Sequence, residues 1–69
     1  MITGTVKWYN DCKGYGFIIS DFGGPSVLAK REVILNSPLG GLIEDQQVLF
    51  AYTMTPDGPE ATGIIIKRE

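Results

Sequence analysis

Turn-forming residues interrupt this chain at short intervals, and this pattern constrains the fold more than any other feature of the sequence. The 69 residues include nine glycines and four prolines. These residues break the chain about every eight to twelve positions, which is the spacing of short strands joined by turns. The clearest turn signals lie at 10–14, 21–25 and 55–59. Such punctuation leaves little room for helices and predicts an all-β fold.

Five β-rich segments lie between these breaks. We predict strands at 3–9, 15–20, 27–31, 47–53 and 61–67, with one long connection between the third and the fourth. In the fourth segment, Val48, Phe50 and Tyr52 alternate and should share one face. Closure into a small barrel would remove the exposed edges that a flat sheet of this size would have to protect. An oligonucleotide-binding type barrel (OB-fold) is the first candidate, and a small SH3-like barrel fits the strand count nearly as well.

The length and composition of the chain narrow the classes of function. Sixty-nine residues are enough for one domain, 1–69, with one hydrophobic core. One cysteine and no histidine rule out an intramolecular disulfide and the usual zinc site, so we predict neither a metal nor a cofactor. Six basic against eight acidic residues, a net charge of -2, count against the broad basic surface of duplex-DNA binders. Proteins that bind single strands mainly by stacking need less positive charge.

Enzymatic and membrane functions are also disfavoured. The chain has no histidine to act as a general base, and its carboxylates lie mainly in turns and connections without catalytic spacing. The longest apolar run, Ile64 to Ile66, is far shorter than the roughly 20 residues that cross a bilayer. A single cysteine and the lack of a secretory signal favour a reducing cytoplasm. We therefore expect a non-enzymatic, cytoplasmic protein with no membrane partner.

The second predicted strand places two aromatic rings on one face. Side chains alternate along a strand, so Tyr15 and Phe17 share one face while Gly16 and Ile18 share the other. Because Ile18 is the better core candidate, Tyr15 and Phe17 are predicted to point outward. A tight hairpin would bring a ring of the first strand beside them.

That additional ring is either Trp8 or Tyr9, and spacing alone does not decide which. Exposed rings flanked by Lys7 and Lys13 suit a surface on which nucleobases stack while the lysines attract phosphates. The same rings would also be explained by cross-strand pairing that only stabilises the sheet. Both interpretations are open at this point.

Four segments carry a resemblance to a known family. Residues 4–10, GTVKWYN, and 13–18, KGYGFI, resemble the opening of a cold-shock domain, which usually reads G-x-V-K-W-F-N-x-x-K-G-F-G-F-I. Tyrosine replaces phenylalanine at positions 9 and 15. Residues 42–50, LIEDQQVLF, resemble the family's L-x-E-G-Q-x-V-x-F, and residues 58–61, GPEA, resemble its G-P-x-A. The resemblance extends from about residue 3 to residue 67.

This resemblance implies a five-stranded antiparallel barrel that binds single-stranded RNA or DNA, as an RNA chaperone-like protein or a regulator of transcription or translation. Trp8, Tyr15 and Phe17 would stack on bases, and the lysines would contact the backbone. Carried over residue by residue, the implied binding surface comprises Lys7, Trp8, Tyr9, Asn10, Lys13, Tyr15 and Phe17.

The third predicted strand departs from the family pattern. Where the family reads V-F-V-H-F-S-A-I, residues 27–34 read VLAKREVI, so that Leu28, Lys30 and Arg31 replace two phenylalanines and a histidine. Leu39 and Gly40 likewise stand where the family has an aromatic residue and a lysine. In one interpretation, Lys30 and Arg31 replace stacking by charge, since guanidinium groups stack on bases and both cations meet phosphates. These two residues therefore join the predicted nucleic-acid-binding set.

The other interpretation is a protein-interaction or dimerisation module with weak or no nucleic-acid binding. Ile64, Ile65 and Ile66 run consecutively, so the last strand presents isoleucine on both faces, whereas a half-exposed strand normally alternates. Either Ile65 lies under a loop or this surface meets another chain, because contiguous apolar patches mark interaction sites. This alternative predicts a concentration-dependent homodimer or a stable protein partner.

Overall fold

Five strands form the protein, as seen in a computed structural model that describes residues 1–36 and 40–67. A short 3₁₀ turn, Arg31–Val33, follows the third strand. The strands are β1 (Ile2–Asn10), β2 (Tyr15–Ser20), β3 (Val27–Lys30), β4 (Gln47–Thr55) and β5 (Gly58–Ile66). The all-β prediction is confirmed. In the described ranges, no helix is long and apolar enough to cross a membrane.

The strands close into a barrel in the order β1-β2-β3-β5-β4. Four of the junctions are antiparallel, and β3 pairs with β5 in parallel, with Leu28 opposite Glu60. A ring with an odd number of strands cannot alternate direction throughout, so one parallel junction is required. The predicted barrel is therefore confirmed, with this single parallel contact at its closure.

The core lies inside the barrel and is built from the inward positions of every strand. The five largest fully buried side chains among the described residues are Val6, Ile18, Val48, Phe50 and Ile64. They come from β1, β2, β4 and β5, and Val27 and Ala29 complete the core from β3. Burial of such side chains contributes about 1.5–3 kcal/mol each. The alternation read from β2 is confirmed, because Gly16 and Ile18 are buried while Tyr15 and Phe17 are not.

The β4–β5 hairpin is longer than the turn signal suggested. The predicted strands stop at residue 53 and resume at 61, whereas the ladder continues until Thr55 pairs with Gly58. The loop is tight because Gly58 adopts a φ of 118°, and because the Thr55 hydroxyl donates to the Gly58 carbonyl oxygen at 2.7 Å. A register shift lies between Ala51 and Tyr52, so the predicted shared face ends at Phe50: Val48 and Phe50 are buried, whereas Tyr52 is 46% exposed, with its ring 6.2 Å from that of Phe50.

The connection that follows β3 is attached to the last strand. Ile34 forms a parallel bridge with Ile64. The Asn36 amide donates to the Ile66 carbonyl oxygen at 3.0 Å and accepts from the Ile66 N–H at 2.8 Å. Ile65, whose exposure the sequence left open, is half-buried and pairs with Leu49. The predicted departure at Leu39 lies outside the described residues.

Candidate functional site

A β-bulge in β1 decides which aromatic residue joins the outer face. Val6 pairs with Ile18, but the next pair is Trp8 with Phe17, so that Lys7 is an extra residue in the ladder. Val6 is therefore buried while Trp8, two residues later, points outward and is 36% exposed. Without the bulge, strict alternation would place Trp8 on the inner face with Val6.

The bulge brings three rings into mutual contact on the outside of β1 and β2. The ring of Trp8 lies 5.6 Å from that of Tyr15 and 5.6 Å from that of Phe17, at interplanar angles of 67° and 60°. Tyr15 and Phe17 are 6.3 Å apart in a T-shaped arrangement. We call Trp8, Tyr15 and Phe17 the aromatic platform. Such ring pairs contribute about 0.5–1.5 kcal/mol each beyond area burial, and their outward surfaces remain available to a flat ligand.

Gly16 permits the close approach of the two strands beneath the platform. A Cβ atom at this position would lie 2.3 Å from the Trp8 carbonyl oxygen and 2.7 Å from the Tyr9 Cα. Both atoms belong to the backbone, so they cannot move aside in the way that the end of a side chain can. The glycine between the two rings is thus a steric requirement of the bulged hairpin.

Tyr9 lies on the opposite side of β1 from the platform. It is half-buried and packs against the core. Its hydroxyl oxygen is buried and has no hydrogen-bond partner among the described residues. The bulge that turns Trp8 outward turns Tyr9 inward, so the structure does not bring Tyr9 together with the other predicted binding residues.

Asn10 lies at the end of β1, opposite Tyr15, and shapes the first turn. Its side-chain oxygen accepts a hydrogen bond from the Lys13 N–H at 3.0 Å, and its carbonyl accepts one from Gly14 at 2.7 Å. Gly14 has a φ of 73°, the left-handed conformation that favours glycine. These bonds fix the position from which Lys13 projects beside the platform.

The predicted cations surround the platform. Lys7 is exposed at the bulge and Lys13 in the first turn. Lys30 pairs with Tyr15 across β2 and β3, and it lines one cleft with Lys13, Tyr15 and Leu28. The structure thus brings Lys13 and Lys30 to the same edge of the platform, although they are distant in sequence.

Leu28 continues the outer face onto β3. It pairs directly with Phe17, at the position where the family pattern has a phenylalanine. Leu28 and Phe17 also line a groove whose other wall is the β4–β5 turn and the start of β5, including Pro59 and Glu60. The outer face therefore continues from the rings of β2 to the aliphatic side chain of Leu28 on β3, with Lys30 on the same face.

Arg31 lies beside the first turn, off the end of β3. Its guanidinium donates to the Asp11 carbonyl oxygen and lies 3.5 Å from the Asp11 carboxylate, while its backbone N–H donates to Gly14 at 2.9 Å. Lys30 has a carboxylate partner as well, since its Nζ is 3.5 Å from the Glu60 Oε2. Sequence reasoning missed both carboxylates, because no local pattern links residues so far apart in the chain.

Across residues 1–36 and 40–67, no three His, Cys, Asp or Glu side chains cluster in a way that could hold a metal ion. The features that the site does offer are exposed rings, an apolar groove and four cationic side chains around them. This combination is suited to flat, negatively charged ligands such as unpaired nucleotides.

Comparison with known proteins gives consistent matches along the chain. The family described as the 'Cold-shock' DNA-binding domain matches residues 2–66. A cold shock-like protein CspA of Bordetella pertussis is 46% identical over 66 residues, which cover 96% of this chain and 98% of that protein. Cold shock-like protein CspA of Stigmatella aurantiaca is 44% identical over 64 residues, covering 93% and 94% of the two chains. Cold shock protein ScoF of Streptomyces coelicolor is 45% identical over 64 residues, covering 93% and 96%.

Proposed function

Because the chain belongs to the cold-shock domain family, a family of nucleic-acid-binding proteins that are not enzymes, we propose that it binds single-stranded RNA or DNA by stacking bases on the aromatic platform. One observation carries this proposal: the bulge at Lys7 turns Trp8 outward, into contact with Tyr15 and Phe17. A surface of three adjoining rings on the outside of a barrel accepts bases of any identity, since every base has a π-face.

The energetics predict weaker binding than a full set of rings would give. Each stacked base contributes about 1–3 kcal/mol. Two phenylalanines of the family pattern are replaced by Leu28 and Arg31, and loss of both stacking contacts would cost about 2–6 kcal/mol. Leu28 offsets part of this loss because it keeps the groove apolar beside Phe17. The platform itself keeps all its rings.

We infer a role as an RNA chaperone-like protein or a regulator of transcription or translation, acting in the cytoplasm as a single domain of residues 1–69. Stacking without base-specific hydrogen bonds supports this role, because it favours many sequences over one. The net charge of -2 agrees with a ligand held mainly through its bases, since duplex binders need a broad cationic surface.

Fluorescence of Trp8, the one tryptophan of the chain, tests the proposal directly. A pyrimidine-rich DNA or RNA oligonucleotide, titrated at low salt, should quench this emission as a base stacks on the indole. Phe17→Leu should weaken binding about 5-fold to 160-fold, the equivalent of about 1–3 kcal/mol. Phe22→Leu is the matched control, since Phe22 is 86% exposed in the β2–β3 connection and lies outside the platform. Absence of quenching at tens of micromolar protein would refute the proposal.

A second candidate function, self-association, is favoured by an apolar pocket of the barrel. The pocket has a volume of about 490 Å³ and is lined by apolar side chains that include Ile2, Phe50 and Pro59. At its rim, Phe22 and Met54 are 86% and 68% exposed. A projecting ring next to an apolar pocket is self-complementary, so two copies related by a two-fold axis would each insert Phe22 into the other.

This homodimer predicts a sedimentation coefficient that rises with protein concentration. Phe22→Ser should abolish the rise, whereas Leu35→Ser, which removes another exposed apolar side chain elsewhere on the surface, should leave it unchanged. A monomer at all concentrations would exclude self-association through this pocket.

A further inference from the structure

The two cations at the end of the third strand have different surroundings. Lys30 projects from β3, and among the described residues its ammonium group has one carboxylate partner, Glu60, at 3.5 Å. Glu60 belongs to β5 at the parallel junction of the barrel, where it pairs with Leu28. The sheet therefore fixes the backbone from which the Glu60 side chain projects, on the wall of the groove that Phe17, Leu28 and Lys30 also line.

Arg31 is held by several contacts at once. Besides its bonds to Asp11 and Gly14, its side chain occupies space that two glycines leave open. A Cβ atom at Gly40 would come within 2.7 Å of the Arg31 Cδ, and one at Gly14 within 3.6 Å of the Cζ. A guanidinium that donates to a backbone carbonyl loses that hydrogen bond if it moves to a phosphate.

We propose that Glu60 competes with nucleic-acid phosphates for Lys30, and that Arg31 stabilises the first turn instead of contacting nucleic acid. This inference rests on the proposed function, because it concerns how the platform binds a single strand. The Lys30–Glu60 pair is half-exposed, at 44% and 31% of the side chains. Such ion pairs are weak, so a phosphate can replace the Glu60 carboxylate as the partner of Lys30.

The ion pair reduces the electrostatic part of binding at this groove. While Lys30 is paired with Glu60, the pair contributes no net positive charge beside Phe17, so an approaching phosphate must displace the Glu60 carboxylate. A single strand first gains stacking energy on the platform, and its backbone then lies next to Lys30. Binding therefore depends less on salt than the count of cations suggests.

Neutralisation of Glu60 separates this competition from general electrostatics. In Glu60→Gln, affinity for an oligothymidine at low salt should rise about two- to fivefold. This corresponds to about 0.5–1 kcal/mol, the stabilisation that an exposed ion pair contributes. The slope of log affinity against log salt should steepen by up to about 0.7, the value for one single-strand phosphate contact. Asp21→Asn is the matched control, since it changes the net charge equally but lies at the other end of β2, where its oxygen accepts from Thr5.

The competition acts through Lys30, so the effect of Glu60→Gln on the salt slope should vanish when Lys30 is alanine. Arg31→Lys should lower the melting temperature and leave the slope unchanged, because the lysine cannot reproduce the guanidinium contacts. If the wild-type protein binds and Glu60→Gln behaves like Asp21→Asn, the inference is wrong while the proposed function stands. If the oligonucleotide quenches Trp8 fluorescence in neither the wild-type protein nor Glu60→Gln, the proposed function is wrong, and the inference that rests on it is wrong as well.

Discussion

Replacement of Gly16 by alanine should destabilise the fold severely, although the change adds one methyl group. The new Cβ would lie 2.3 Å from the Trp8 carbonyl oxygen, whereas ordinary contact begins at 3.4 Å. The distance is therefore too short by about 1.1 Å. The second close atom, the Tyr9 Cα at 2.7 Å, is also backbone. Neither atom can be displaced without a change in the pairing of β1 with β2.

Local relaxation is too small to relieve this contact. Bending a bond angle at Cα by about 15° costs about 4 kcal/mol and moves the Cβ by only about 0.4 Å. The strands must therefore separate at the bulge and lose ladder hydrogen bonds, and we expect a loss of at least about 3 kcal/mol in the free energy of unfolding. A chain of 69 residues typically has about 3.5–10 kcal/mol in total, at about 0.05–0.15 kcal/mol per residue. The melting temperature should fall by at least about 12 °C.

Gly63→Ala is the matched control for this experiment. Gly63 is likewise a buried strand glycine, but among residues 1–36 and 40–67 a Cβ there would meet only the ends of Leu35 and Met1, at 3.6 and 3.8 Å. Its free energy of unfolding should stay the same or rise by up to about 1 kcal/mol, since alanine loses less backbone entropy on folding. Thermal and urea unfolding, followed by far-UV circular dichroism, compares the variants. A melting temperature of Gly16→Ala within about 4 °C of wild type, or an equal loss in Gly63→Ala, would refute the steric argument.

Three further changes test individual contacts by the same unfolding measurements. Tyr9→Phe should raise the free energy of unfolding by about 1 kcal/mol, because it removes a buried hydroxyl without a partner among the described residues; a lower melting temperature would contradict this. Asn36→Ala should lower it by about 1–3 kcal/mol, since both backbone groups of Ile66 lose their part-buried amide partner; an unchanged urea midpoint would show that other groups replace the amide. Asn10→Ala should cost about 1 kcal/mol through the lost bond to the Lys13 N–H, and a stability equal to wild type would mean that the turn holds without it.

The fold was predictable because its signals are local. Glycine and proline mark turns through their own backbone preferences, and alternation of side chains marks the faces of a strand. The positions of β1, β2 and β3 therefore agree with prediction to within one residue, and the outward direction of Tyr15 and Phe17 is confirmed. The hairpin of β4 and β5 differed more, because its length depends on how far two strands continue to pair.

The site was predictable only in part. Local spacing identified the rings and the lysines of the first hairpin, but it did not choose between Trp8 and Tyr9. That choice depends on the register of β1 against β2, which includes one extra residue at Lys7. A register is a property of two strands together, and the alternation within one strand does not contain it.

Taken alone, the sequence determined that this chain forms short strands, closes them into a small barrel and carries aromatic residues at the start. The family resemblance already selected Trp8 as a stacking residue, and the tertiary structure supplied the reason, a bulge that turns Trp8 outward. Only the tertiary structure decided that Tyr9 turns toward the core and that Lys30 and Arg31 each have a carboxylate beside them. The reason is distance along the chain. Turns and faces follow from neighbouring residues, whereas Arg31 meets Asp11 and Lys30 meets Glu60 only because strand pairing in the barrel brings distant segments together.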